Sequence, residues 1–468
     1  MGIDQRGTGT ATRPRSARHL LGRIVIDTRP LRLRDFRRLW ASTAVTSMGS
    51  QLTAVAVPKQ VYDLTGSSGY VGLTGGVGLA ALLIFGLWGG AIADAFDRRR
   101  IITISNVGIA VVSGLLWFQA FTGMRSVWLI FLLLGVQQAF VAVNMPTRNA
   151  VLPRLVPAEL IAPANALNST VFMFGMVFGP LVAGAMIPIL GLSTLYLIDT
   201  VALVISTLLV LRLPAMAPGN AAAVGAGVRD IVAGFRYLST QRVLLASFLV
   251  DLIAMIFGMP RALFPEMAER TFGDPAGGGP ALGWLYAAIP IGAVLLGLMS
   301  GWVSRLPRQG VAVAVAVGAW GLCMVGFGLS GVLWLAVLFL ALGGAADQIS
   351  AIHRGAILQT AATDEMRGRI QGVFIVVVAG GPRLADLVHG WAATGPGTGA
   401  ATTVGGLLVV VLTVLAVAAI PAFWRYVAPK DVAESPTEDA RGEAAVRPVD
   451  LAGRVPGGTQ SEPGRAAG

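Results

Sequence analysis

One cysteine, three histidines and a low share of charge set the first limits on this 468-residue chain. A lone Cys323 cannot form an intrachain disulfide, and its place inside an apolar run suits a small buried hydrophobe. So few histidines and cysteines leave no cluster with metal-ligand spacing, and no metal site is expected. Charged residues make up 13% of the chain, against about 25% in typical soluble domains. A soluble protein with so little charge could not cover its surface. No Gly-x-x-x-x-Gly-Lys-Ser/Thr phosphate loop is present, and nothing in the chain has the makings of an enzyme. The Arg-rich segment 1–36 has no 7–15-residue apolar core and no cleavage site, so it is not a signal peptide. Arg6 also breaks a myristoylation pattern.

What the chain has instead is apolar length and glycine. It is 55% hydrophobic with a mean hydropathy of +0.72, and 60 residues are glycine. Small residues let helix backbones approach closely in lipid. A spanning helix needs about 20 apolar residues. Twelve such spans are read, numbered 1 to 12: 37–60, 71–93, 101–121, 127–146, 164–189, 192–212, 243–264, 281–303, 310–330, 332–352, 370–391 and 401–424. The polar stretch 213–242 divides them into a bundle at 37–212 and another at 243–424. The Pro-, Gly-, Glu- and Arg-rich tail 425–468 reads as disordered.

An even number of spans puts both termini on one side. Thirty of the 35 Lys and Arg residues fall on that side. Lys59, Arg125 and Arg270 fall on the other, and Arg261 and Arg383 lie within spans. The positive-inside rule makes the terminal side cytoplasmic. It also explains the net charge of +11 without nucleic acid.

The two bundles repeat each other. Arg148, Ala150, Leu152, Glu159 and Asn165 align with Arg354, Ala356, Leu358, Glu365 and Gln371 at a constant offset of 206. Val57-Pro58-Lys59 aligns less regularly with Met259-Pro260-Arg261. Parallel repeats of this kind build transporters whose halves are related by an axis along the membrane normal.

Between spans 2 and 3 lies Gly90-Ala91-Ile92-Ala93-Asp94-Ala95-Phe96-Asp97-Arg98-Arg99-Arg100. This charge-dense turn resembles the signature between helices 2 and 3 of the major facilitator superfamily. A degenerate copy, with Arg305 in place of the Asp, follows span 8. Ala233-Gly234-Phe235-Arg236-Tyr237-Leu238 and Gly368-Arg369-Ile370-Gln371-Gly372 are similar to segments of the enterobactin (siderophore) exporter branch. The resemblance covers about residues 35–425. It implies an all-α, twelve-helix membrane fold in two pseudo-symmetric halves and a bacterial inner-membrane secondary transporter. Such a protein needs no cofactor and runs on an ion gradient, taken here as protons. It would act as a monomer in the bilayer on a small molecule, by alternating access. Export of siderophore-like compounds or drugs is the expected direction; an importer, or a non-transporting receptor or assembly partner, is the alternative. The resemblance further implies a gate built on Gly90, Asp94, Arg98 and Arg99, with Asp94 latching the outward-facing state. The arginines would pair with acids or anionic lipid.

Polar residues inside spans are costly and mark function by default. Asp251 lies well inside span 7, and Arg383, Asp386 and His389 follow at i, i+3, i+6 in span 11. That spacing puts them on one helix face, where Arg383 can pair with Asp386. They are read either as a proton-coupling group or as buried pairs that fix packing. In the coupling reading, protonation from outside weakens an acid's pairing and favours outward release. Asp199 and Asp347, placed near opposite ends of spans 6 and 10, read as structural. Lys59 and Arg261 either attract an anionic substrate or snorkel to headgroups. Gln51, Gln137, Gln138 and Asn168 are candidate cavity hydrogen-bonders. Trp284 and Tyr286 either stack on substrate or anchor at the interface.

Overall fold

The computed structural model describes residues 27–216 and 228–427. The side chains of residues 87–95, 228–231, 304 and 364 lie outside that description, as does the segment read as a tail from 428 onward. Among the described residues the regular structure is helical throughout.

Ten helical runs are long and apolar enough to cross a membrane. One of them, Ala158–Leu211, is long enough for two crossings. It turns at Gly191, whose φ of 75° is open to glycine, and so carries spans 5 and 6. Span 1, Arg34–Thr65, is missing from the ten because Thr43, Thr46, Ser47, Ser50 and Gln51 dilute its hydropathy. The twelve-helix fold is therefore complete. Span 1 ends where Gly66 takes the left-handed conformation and donates its N–H to the Tyr62 carbonyl.

Spans 1, 8 and 11 differ from their reading in the sequence at one end, at Thr65, Leu298 and Asp364, and three further helices differ in ways that move charged residues. Spans 4 and 10 run on to Leu155 and Ala361, because Arg148 and Arg354 continue the helix instead of ending it. Both arginines then belong to the bundle, not to surface loops; the excess of basic charge on the terminal side survives their removal. Asp347 moves from the end of span 10 to its middle. Span 7 stops at Gly258, ahead of Pro260, and a short turn at Arg261–Leu263 follows. The residue before a proline is pushed out of helical conformation, which lifts Arg261 off the helix. The central stretch also contains a helix, Val228–Thr240.

The halves meet through spans 2 and 11 and through spans 5 and 8. Spans 2 (Ser68–Ala95) and 11 (Asp364–Ala392) run antiparallel. A Cβ on Gly72 would stand 2.5 Å from the Asp386 carbonyl, and one on Gly75 at 2.5 Å from that of Arg383. Further along, Leu79 faces Gly380. Beyond that point Leu83, Ile84 and Phe85 are exposed and the halves diverge. Spans 5 and 8 touch at Gly184 and Gly283, where an added Cβ on Gly184 would lie 2.8 Å from the Gly283 backbone. All these contacts lie toward the end of the molecule that carries Asp63, Glu266 and Glu269, called here the acidic end. The opposite, basic end carries Arg98–Arg100. The halves are closed at the acidic end and apart at the basic end.

Closure thus depends on the lack of side chains at these glycines. Gly184→Leu should force spans 5 and 8 apart and raise modification of cysteines placed at the acidic end. Gly297→Leu, with nothing within 4 Å, should leave labelling unchanged. Equal labelling in the two variants would contradict this packing.

Candidate functional site: a cavity between the halves

The divergence of the halves leaves a cavity of about 590 Å³ between them. Its two walls differ. Span 1 contributes Thr43, Thr46, Ser47, Ser50 and Gln51; span 4 contributes Gln137, Gln138, Asn144 and Arg148. That wall is neutral apart from Arg148 and Asp199. The C-terminal wall is smaller and more charged, with Arg261, Tyr286, Arg383 and Asp386. A few convergent polar groups in a concave, mostly apolar site are the usual form of a small-molecule pocket.

Asp386 accepts one backbone bond, from Ala262, and lies near the charges of Arg261 and Arg383. Its Oδ1 is buried without a hydrogen-bond partner among the described residues. A Cβ on Gly75 would lie 2.6 Å from its own Cβ, so it sits on the seam between the halves. Arg383, one turn away, does not bond it. The guanidinium donates to the Ala379 carbonyl at 2.7 Å and, across the seam, to Gln138 Oε1 at 2.8 Å. The pairing expected from the i, i+3 spacing is absent because Arg383 reaches the other half.

On the opposite wall Asp199 Oδ2 accepts from Thr53 and Ser113, both at 2.8 Å. Gln137 donates to Ser113 at 3.1 Å and extends this network to the cavity. Gln51 also lines the cavity and packs on Gly179.

The acidic end is sealed by charge as well as by glycine. Lys59 is buried, 1% exposed, and its ammonium lies 2.5 Å from Asp63 and 2.7 Å from Glu269 of the other half. Ser68 donates to Glu266 at 2.5 Å, again between halves. Lys59 therefore neither lines the cavity nor snorkels to the surface; the nearby carboxylates satisfy it at the seam.

The model of the transmembrane secretion effector family within the major facilitator superfamily matches residues 27–443. The chain belongs to this family. The enterobactin exporter EntS of Shigella boydii serotype 18 is 30% identical over 351 residues, covering 72% of this chain and 80% of that protein. EntS of Escherichia coli O81 is 29% identical over the same length and coverage. In fold the chain is similar to the nucleoside transporter NupG, with a TM-score of 0.66 and 15% identity over 84% of this chain and 99% of that one. It is also similar to a bacterial homologue of the lysosomal transporter Spinster in an inward-facing, unoccupied conformation. There the TM-score is 0.64, with 15% identity over 85% and 97% of the two chains. The protein is thus a multi-pass membrane transporter of the major facilitator superfamily.

Other residues singled out in the sequence fall elsewhere in this major facilitator fold. His389 is buried between Phe257 and Gly405, inside its own half, because three more residues of helix rotate it off the cavity face. Asp251 is also off the cavity: it accepts from Arg354, with Asp347 at 3.6 Å from the same guanidinium. Trp284 packs edge-on against exposed Trp334, centroids 5.2 Å apart, on the outer face of the bundle. Asn168 is part-buried but does not line the cavity. The gate residues Gly90 and Asp94 lie outside the described side chains. Of their neighbours, Asp97 caps span 3 and accepts from the Met216 N–H, while Arg98 and Arg99 donate to the carbonyls of Ala150 and Leu211. Those bonds hold helices of one half together and add to the roles expected of these arginines.

The sequence reading missed Arg148, although the 206-residue repeat marked it. It also missed the acids of the acidic end, which a count of basic residues passes over.

Lys59→Met would leave Asp63 and Glu269 facing each other without their shared cation. Reaction of Ser68→Cys with a membrane-impermeant maleimide should then rise severalfold in a Cys323→Ser background. Unchanged reactivity would mean that the seal does not depend on this ion pair.

Proposed function

We propose that this transporter exports small organic molecules from the cytoplasm, driven by protons entering in exchange. Siderophore-like compounds and drugs are the substrates in view, and alternating access of the cavity is the mechanism. The basic end is taken as cytoplasmic, together with both termini, on the excess of arginine there. On that orientation the cavity faces the cytoplasm and is shut toward the outside, the posture in which an exporter loads. The similarity to enterobactin exporters supports both the direction and the substrate class.

The observation that carries the reading is Asp386. It lies in the cavity, on the seam that must part for outward opening, with an oxygen that has no partner. An ionised carboxylate buried in that way is costly, so the closed seam favours the protonated form. Protonation from outside therefore favours closing the acidic end, and proton loss to the cytoplasm favours opening it. The order is the reverse of one in which protonation breaks an Asp386–Arg383 pair, since that pair does not exist. Each form shifts the population only by its differential fit to the two states. Asp251, held by Arg354 away from the cavity, serves packing in this scheme.

Inverted vesicles carrying the protein, acid inside, should accumulate members of a panel of siderophores and dyes. A protonophore should abolish the uptake, and Asp386→Asn should reduce it at least tenfold while Asp251→Asn does so only through loss of folded protein. Uptake that ignores the protonophore, or Asp386→Asn with full activity, would overturn the coupling scheme.

A further inference from the structure

The repeat puts one arginine at equivalent points of the two halves, Arg148 and Arg354. Their surroundings are not equivalent. Arg354 is buried against Asp251, with Asp347 nearby, so its own half supplies its counter-charge. Arg148 is ringed by neutral acceptors. Its Nε donates to Asn144 Oδ1 at 2.7 Å. Nη1 donates to Ser42 and Thr43 at 3.2 and 3.1 Å, and Nη2 to Asn106 and Ser206 at 3.2 and 3.3 Å. No carboxylate among the described residues pairs with it. The one acid on the same wall, Asp199, bonds Thr53 and Ser113 instead.

Hydroxyls and amides orient a guanidinium but do not neutralise it. A charge in a low-dielectric setting needs a partner, and the usual one is a carboxylate or similar anion. Five side chains from spans 1, 3, 4 and 6 fix Arg148 in place, which removes most of the entropy cost of engaging a ligand. The group also borders the cavity, so whatever occupies the cavity lies within reach of the charge. The C-terminal half answers its arginine internally; the N-terminal half leaves it to be answered from the cavity.

We propose that Arg148 anchors the acidic group of the transported molecule, so the substrate is an organic anion bearing a carboxylate, sulfonate or ionised phenol. This rests on the reading of the cavity as the substrate site. It does not depend on proton coupling or on the direction of transport.

The test uses the purified full-length protein in detergent, titrated by fluorescence anisotropy with fluorescein as the anion and rhodamine 6G as the cation. Benzoate and naphthalenesulfonate serve as competitors. Fluorescein should bind, with affinity falling as salt rises. Arg148→Gln should weaken it at least tenfold. Asn144→Asp keeps the guanidinium and its ring but supplies an internal counter-charge, and should weaken it to a similar degree. Arg148→Lys should retain part of the affinity. Rhodamine binding should not fall in any variant. Thermal unfolding and gel filtration check that each variant is folded, and Asn144→Asp stands as the test if Arg148→Gln is not. Absence of binding by all three anions, or equal fluorescein affinity in wild type and Asn144→Asp, would overturn the proposal. Gradient-driven uptake that survives in Arg148→Gln alongside unchanged anion binding would remove the anchor and leave the transport reading standing. Loss of proton dependence with Arg148-dependent binding intact would do the opposite.

Discussion

The closed end of this transporter depends on backbone approaching backbone. Gly72 and Gly75 on span 2 lie against span 11, and Gly184 lies against Gly283 between spans 5 and 8. In lipid no hydrophobic force draws helices together, so association rests on close packing and on polar groups that find partners. Where the glycines bring the seam together, Lys59 can reach Glu269 and Ser68 can reach Glu266. The cavity starts alongside this seam, at Val71, Thr74, Gly75 and Gly78, and past Leu79 and Gly380 the helices separate. Its position, its mouth and the burial of Asp386 all follow from that one stretch of contact.

The need to satisfy charge inside the membrane then sorts the polar residues. Asp251 and Arg354 satisfy each other within one half. Asp199 has two hydroxyls on one oxygen and no partner on the other. Lys59 is satisfied across the seam. Two further groups are left with less than they need. Asp386 has an oxygen without a partner, and Arg148 has hydrogen bonds without a counter-charge. Both border the cavity. Groups inside a bundle that the protein does not complete for itself are where a proton or a ligand can act. Function is proposed for these two on that ground, and not on position in the sequence alone.

Much of the fold was legible in the sequence, and the reason is physical. Apolar length counts crossings, and a repeat of charged residues at one offset survives where apolar repeats blur. Span ends were less legible. Arg148 and Arg354 read as loop residues because a charge usually marks a surface, whereas here Arg148 is half-buried and Arg354 buried, with partners on their own and on other helices. The candidate site was legible only in part. Periodicity put Arg383, Asp386 and His389 on one face, but 100° per residue over six residues carried His389 away from the cavity. The partners of Lys59 and Arg383 come from the other half, more than 200 residues away in the chain, and no local spacing reveals them.

The central claim is that one cavity opens alternately at the two ends. Spin-label distances would test it most directly, in a Cys323→Ser background, with pairs at 67 and 394 for the acidic end and at 158 and 361 for the basic end. The structure gives a short distance for the first pair, since Ser67 and Thr394 both lie against Gly69. Alternating access predicts a second population in which the first lengthens and the second shortens, growing as the pH is raised and Asp386 loses its proton. Single, unchanging distances for both pairs across pH and across the substrate panel would contradict the account.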